Sequence, residues 1–179
     1  MFLSIVSRFV ERFVEQGGLV ERVRGLGEAI SRVAEEARRL QAALAVASCD
    51  PGLVEALERE LDGVVELFPP RSPLQLIERA GAGLTFPVAG VAETGSLVEI
   101  CYDDADRLVS ALPSTHFAYL KSSSIVPTLL DVAGTIRRAS QKGPFSATLI
   151  SGPSRTADIE LTIVRGVHGP HTVRLFLEV

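Results

Sequence analysis

The chain has 179 residues, 46% of them hydrophobic and 22% charged, which is enough apolar material for one cored domain with an appendage. Eighteen basic residues against 22 acidic ones leave a formal charge of −4. No broad positive surface is available to displace counterions from a phosphate backbone, which argues against nucleic acid as a partner. Cys49 and Cys101, the two cysteines, have no C-x-x-C spacing, so neither a disulfide framework nor a cysteine-held iron–sulfur cluster can be built from this chain alone. Such cysteine usage fits a reducing cytoplasm.

Phe2, Ile5, Val6, Phe9, Val10 and Phe13 recur at spacings of three and four, which predicts a helix from about residue 2 to Glu15, ended by Gln16-Gly17-Gly18. Ser4, Ser7, Arg8, Glu11 and Arg12 interrupt that apolar run, so neither a signal sequence nor a membrane span is expected from it. Val23, Leu26, Ile30, Val33, Ala37, Leu40 and Leu44 form a heptad seam, the mark of a long helix packed lengthwise on another. Together the two patterns predict an N-terminal helical hairpin over residues 1–47. Its leftover apolar edge would be covered by the following domain, by a second copy in a homodimer, or by a membrane surface. The mixture of Glu and Arg on its polar face disfavours the membrane.

Asp50-Pro51 suits an N-cap followed by a first helical position, and opens a second unit over residues 48–179. A helix through Leu53, Val54, Leu57 and Leu61 should stop at Gly63, with a short buried strand at 64–68 and a further cap-and-proline start at Ser72-Pro73. Apolar runs at 97–101, 117–120, 147–150 and 173–177 read as strands, and 104–110 and 125–139 as helices. Arg137, Arg138 and Lys142 fall where they favour a helix C-terminus. The alternation predicts an α/β fold: a mostly parallel sheet flanked by helices, with ligands favoured at loops beyond the strand ends.

Ser151-Gly152-Pro153-Ser154-Arg155-Thr156-Ala157-Asp158-Ile159-Glu160 gathers a turn, hydroxyls, an arginine and acids. A helix capped by Ser154 or Thr156 would leave free N–H groups for an anion. Arg155 would grip a carboxylate or phosphate, with Ser151, Ser154 and Thr156 adding hydrogen bonds. Equally, Asp158 or Glu160 would neutralise Arg155 and leave a stable turn. His168 and His171 flank Gly169-Pro170, a geometry unlike that of paired metal ligands on a helix, so no metal site is expected. His171 is read as holding the turn, His168 stays open as an acid or base, and His116 is read as structural.

Ala92-Glu93-Thr94-Gly95-Ser96 sets a carboxylate beside a glycine turn between two extended runs. Glu93 there is a base or nucleophile, or else an acceptor for backbone N–H groups. Cys101, at the end of an apolar strand, reads as inert. Gly81-Ala82-Gly83 is too short for a phosphate loop, and no dinucleotide fingerprint is present.

Three segments in order, Gly90 to Ser96, Leu112 to His116 with Ile125-Val126-Pro127, and Ser151 to Pro170, resemble the LUD-domain family over about residues 85–179. The resemblance implies a fold similar to the sugar-phosphate isomerase and CoA-transferase superfamily. It also implies a cytoplasmic role beside two iron–sulfur partners that oxidise L-lactate to pyruvate. The redox centres would lie in those subunits, with no cofactor in this chain. Residues 1–80 carry no matched segment. The expected crevice combines Glu93 and His168 as proton-moving groups with Thr94, Gly95, Ser96, Ser151, Gly152, Ser154, Arg155, Thr156 and Gly169 as ligand contacts. Two other functions compete with it. One is a non-catalytic interaction module. The other is an enzyme of the CoA-transferase or sugar-phosphate type, since class I CoA transferases carry their nucleophile in a serine-glutamate-asparagine-glycine segment and Glu93 and Gly95 match two of its four positions.

Overall fold

The computed structural model describes residues 2–48, 50–156, 164–165 and 169–179, with side chains at 4–48, 50–154 and 169–179. In chain order the elements begin α1 Phe2–Glu15, β1 Leu19–Val23, α2 Leu26–Leu40, β2 Leu44–Val46, α3 Pro51–Leu61, β3 Leu67–Phe68 and α4 Leu74–Arg79. There follow β4 Ala82–Thr85, β5 Ala89–Val91, β6 Ser96–Cys101, α5 Asp104–Val109, β7 Thr115–Lys121 and β8 Ile125–Val126. A short 3-10 turn at Leu129–Val132 leads into α6 Ala133–Ser140, then β9 Ser146–Ile150, β10 Arg155–Thr156, β11 Val164–Arg165 and β12 Thr172–Glu178. Among the described residues, no helix is long and apolar enough to cross a membrane.

The main sheet has six strands in the order β1-β12-β7-β4-β2-β3, every pair parallel. This is the parallel α/β sheet that the alternating pattern predicts. Its central strands are buried on both faces, which explains why Phe117 to Leu120 reads as an unbroken apolar run. Successive side chains nevertheless serve different layers. Phe117, Tyr119 and Phe176 face α2 and α3, while Ala118, Leu120, Val173, Leu175 and Leu177 face α1. On the α1 side lies a second sheet, β8-β5-β6-β9, which contributes Leu97 and Ile125 to the same core. Farther along that face, α4 and α5 cover Ala45 and Phe68 through Ile77 and Val109.

The N-terminal hairpin does not form. Leu19–Val23 is a strand that pairs with β12, from Leu19 opposite Arg174 to Val23 opposite Glu178. The helices before and after it therefore lie on opposite faces of the sheet, and strands from both sides of residue 47 share that sheet. The long second helix is also shorter than its seam. It stops at Gln41, which adopts φ 51°, and spans 15 residues, about 22 Å at ~1.5 Å per residue. Val23 and Leu44 extend the heptad spacing only because sheet positions and helix positions bury apolar side chains alike.

Other local expectations divide. Asp50 caps α3 by accepting the Gly52 N–H at 2.9 Å, with Pro51 in the first turn, and the helix unwinds through Asp62 and Gly63, both at positive φ. Ser72 does not cap α4, because its hydroxyl turns back to the Pro69 carbonyl at 2.7 Å. The helix expected over 125–139 is split. Ile125 and Val126 pair with β5, Pro127 interrupts, and a capping box between Thr128 and Asp131 starts the turn that leads into α6. No helix starts at Ser154, since Arg155–Thr156 is a strand antiparallel to Val164–Arg165; the residues that a Thr156 cap would lead into lie outside the described residues.

The aromatic face of α1 is consumed within this chain. Phe9 and Phe13 are fully buried and stack on each other with centroids 5.9 Å apart. The last turn of α1 then closes against two glycines from distant loops. A Cβ on Gly95 (φ 67°) would lie 2.5 Å from the Arg12 carbonyl carbon and the Phe13 nitrogen. One on Gly152 (φ 125°) would lie 2.6 Å from the Gln16 carbonyl oxygen. Phe9→Ala should lower the unfolding free energy by about 3–5 kcal/mol in urea titrations. Gly95→Ala, which meets helix backbone and a left-handed φ together, should cost about 2–4 kcal/mol in the same assay.

Candidate functional site

The two motifs singled out in the sequence meet beside the end of α1. The turn between β5 and β6 is held by its backbone: Gly95 N–H donates to the Val91 carbonyl at 2.8 Å, and Ala92 and Glu93 N–H donate to Val126 and Pro127 at 2.9 and 3.0 Å. Ser96 Oγ donates to Thr94 Oγ1 at 2.8 Å and lies 2.7 Å from Ser151 Oγ, joining the first motif to the second. Beyond Gly152, the Ser154 N–H donates to the Pro170 carbonyl at 2.9 Å, and Gly169 packs against the Ser154 side chain. Ser151, Gly152, Ser154 and Gly169 consequently share one groove of about 250 Å³, with Arg107 and Ser110 of the α5 region on its far wall.

Glu93 is not in that groove. It is exposed and borders a separate, mostly apolar hollow of about 570 Å³ walled by Val98, Leu129, Val132, Ile136 and Leu149, where it accepts the Leu129 N–H at 3.3 Å. Thr94 is exposed at the turn, and Gly95 is closed off by α1. The backbone of Arg155 and Thr156 is placed in β10, while their side chains, together with Asp158, Glu160 and His168, lie outside the described residues, as does Cys49. His171 sits at the start of β12, its N–H donating to the Ser114 carbonyl at 2.8 Å. Among the described residues, no three His, Cys, Asp or Glu side chains converge to hold a metal ion.

A polar cluster not anticipated from the sequence lies between the two sheets. Glu99 of β6, Thr85 at the end of β4, His116 of β7 and Ser110 after α5 are all buried. The Thr85 hydroxyl donates to Glu99 Oε1, and the Ser110 hydroxyl donates to Glu99 Oε2 at 2.7 Å. His116 Nε2 lies 2.7 Å from Thr85 Oγ1 and 3.4 Å from Glu99 Oε1. Because the threonine proton is committed to the carboxylate, its oxygen receives Nε2–H, so that nitrogen carries a proton. Among the described residues, His116 Nδ1 is buried with no hydrogen-bond partner. The sequence carries one sign of this cluster: Glu99 interrupts an otherwise apolar strand, where an unpaired carboxylate would be costly.

Burial by itself would push the Glu99 carboxyl up. The hydrogen bond and charge of His116, with the Thr85 and Ser110 hydroxyls, outweigh burial and hold it below the usual carboxylate value. The neighbouring Cys101 thiol is pushed up to about 12 by burial and by Glu99 and Asp106, so it stays protonated and unreactive near neutral pH. A carboxyl depressed in the folded state adds stability that is complete above the unfolded value, about 4.3, and is lost as pH falls through the folded one. Thermal unfolding between pH 6 and 3 should therefore show an acid-side loss of stability that Glu99→Gln reduces.

A profile of the LUD domain matches residues 6–177. The lactate utilization protein C of Anoxybacillus flavithermus is 38% identical over 119 residues, covering 66% of this chain and 53% of that protein. Its namesake from Bacillus subtilis is 42% identical over 96 residues, covering 52% and 40% respectively. The chain thus spans about half the length of the curated relatives it matches. A crystal structure of a DUF162 family protein from Deinococcus radiodurans superposes with a TM-score of 0.69 at 22% identity, over 99% of this chain and 98% of that one, and shares the fold. With the domain profile running through both sheets, from α1 to the last strand, this protein belongs to the LUD-domain family.

Proposed function

We propose that this protein is the iron-free LUD component of a cytoplasmic system that oxidises L-lactate to pyruvate, and that it holds a small hydroxycarboxylate in the groove between Ser151 and Gly169. The observation that carries this reading is the sharing of one hollow by Ser151, Ser154, Gly169, Arg107 and Ser110. The names of the lactate utilization relatives supply the pathway.

Each wall has a defined task. Arg107 is half-exposed, and its contact with Asp104, at 3.5 Å on the surface, is one that a bound carboxylate replaces at little cost. The Ser110 hydroxyl already donates to Glu99, so its oxygen is left to accept a hydrogen bond from the ligand's hydroxyl. Ser151 and Ser154 provide neutral hydrogen bonds at the opposite wall. Arg155, Thr156 and His168 belong to the same chain segment; in this reading they add a second guanidinium, a hydroxyl and a proton-moving imidazole. Glu93, bordering another hollow, lies apart from the ligand. The iron–sulfur chemistry is supplied by partner subunits.

Titration calorimetry with L-lactate and pyruvate tests the site. Both ligands should bind the wild type, and Arg107→Ala should weaken binding about 10- to 100-fold, the usual worth of a hydrogen bond to a charged group. Equal affinity in the variant would remove the groove from this role. Native mass spectrometry of the protein purified from its own cell should show iron–sulfur proteins associated with it; their absence would remove the subunit assignment.

A further inference from the structure

A third hollow, separate from the Ser151 groove and from the one beside Glu93, lies where the carboxyl ends of β2, β3 and β4 meet the end of β6. Open α/β sheets favour this position for ligands. It encloses about 140 Å³, the space of roughly four or five water molecules at ~30 Å³ each. Arg71 stands on its wall from the loop after β3, and Glu99 reaches it from between the sheets. Asp103 and Asp106 complete the charged lining, while Phe86 and Tyr102 give it an apolar side.

The charge pattern selects the ligand. Three carboxylates and one guanidinium line the hollow, with His116 behind Glu99 at 3.4 Å, so a plain anion drawn to Arg71 enters an excess of carboxylates, and a plain cation leaves Arg71 unanswered. The carboxylates are only partly engaged. Asp103 accepts the Ala105 N–H at 2.8 Å, Asp106 accepts the Ser48 N–H at 3.0 Å, and Glu99 takes two hydroxyls with His116 Nε2 3.4 Å from its Oε1, whereas each carboxylate has about four acceptor sites. Arg71 carries a fork of donors matched to a carboxylate. A molecule with a carboxylate at one end and an ammonium a short distance away meets both requirements, and the volume restricts it to a few heavy atoms.

We infer that this hollow binds a small α-amino acid as its zwitterion, its carboxylate on Arg71 and its ammonium against Glu99 and Asp103, with a short side chain toward Phe86 and Tyr102. The site has no lining residue in common with the hydroxycarboxylate groove. A pocket of this kind makes the protein responsive to amino-acid supply as well as to its proposed pathway ligand.

Calorimetry and thermal-shift measurements on the full chain with L-alanine, L-serine, L-lactate and ethylamine test the inference. L-alanine or L-serine should bind saturably and raise the melting temperature, with affinity at least tenfold above that of ethylamine. Arg71→Ala, a change on an exposed loop, should weaken amino-acid binding tenfold or more, and Glu99→Gln should do the same. Arg107→Ala should leave amino-acid binding intact while affecting lactate, which separates this site from the groove. The inference is overturned if neither amino acid binds at millimolar concentration. It is equally overturned if Arg71→Ala binds them as well as the wild type does, or if L-lactate competes for the Arg71 site with equal affinity. Should Glu99→Gln fail to fold, the Arg71→Ala comparison alone decides.

Discussion

The last turn of α1 lies against the Cα atoms of Gly95 and Gly152, with no room for a side chain at either contact. The rest of the site depends on this approach. It brings the turn after β5 and the turn after β9 to one place, where Ser96 and Ser151 meet through their hydroxyls. Phe9 and Phe13 anchor the same helix in the core below, so the position of the loops is set by a buried aromatic pair rather than by the loops themselves. A helix that the sequence presents as an appendage is thus the clamp of the candidate groove.

Glu99 performs the corresponding task between the sheets. A carboxylate at this depth is tolerable because two hydroxyls donate to it and His116 Nε2, which donates to one of those hydroxyls, lies 3.4 Å from it. Through Ser110 it touches the groove at Ser151, and its own carboxylate borders the hollow at Arg71. The two candidate ligand positions therefore share one charged group while being built from different walls. His116 stands behind both, its Nδ1 unpartnered among the described residues. That nitrogen is a buried cost which the surrounding packing sustains.

The glycines of both motifs illustrate how a local signal carries two meanings. Glycine at Gly95 and Gly152 is required because the backbone takes positive φ and something comes close. A ligand and a helix backbone make the same demand on the residue. Only the path of α1, set by apolar contacts far along the chain, identifies the neighbour. Glu93 is a similar case: the turn that holds it is tied by backbone hydrogen bonds to the end of β8, which directs the residue to a different hollow from the one its sequence neighbours line.

From the residues alone come the α/β class, the parallel central sheet, α1 and its aromatic stripe, the Asp50 cap of α3 and the family. Each rests on a periodicity or a motif contained in a short window. The hairpin could not be judged in that way. Leu19–Val23 becomes a strand because β12, more than 150 residues later, offers it an edge. The overlong second helix failed for the same cause, since burial in a sheet and burial on a helix select the same side chains. Likewise the Glu99 cluster joins three strands and the residue that follows α5, and no local pattern relates Thr85, Glu99, Ser110 and His116. Elements were legible because their energetics are local; the site was not, because the contacts that assemble it exist only after the sheets have packed.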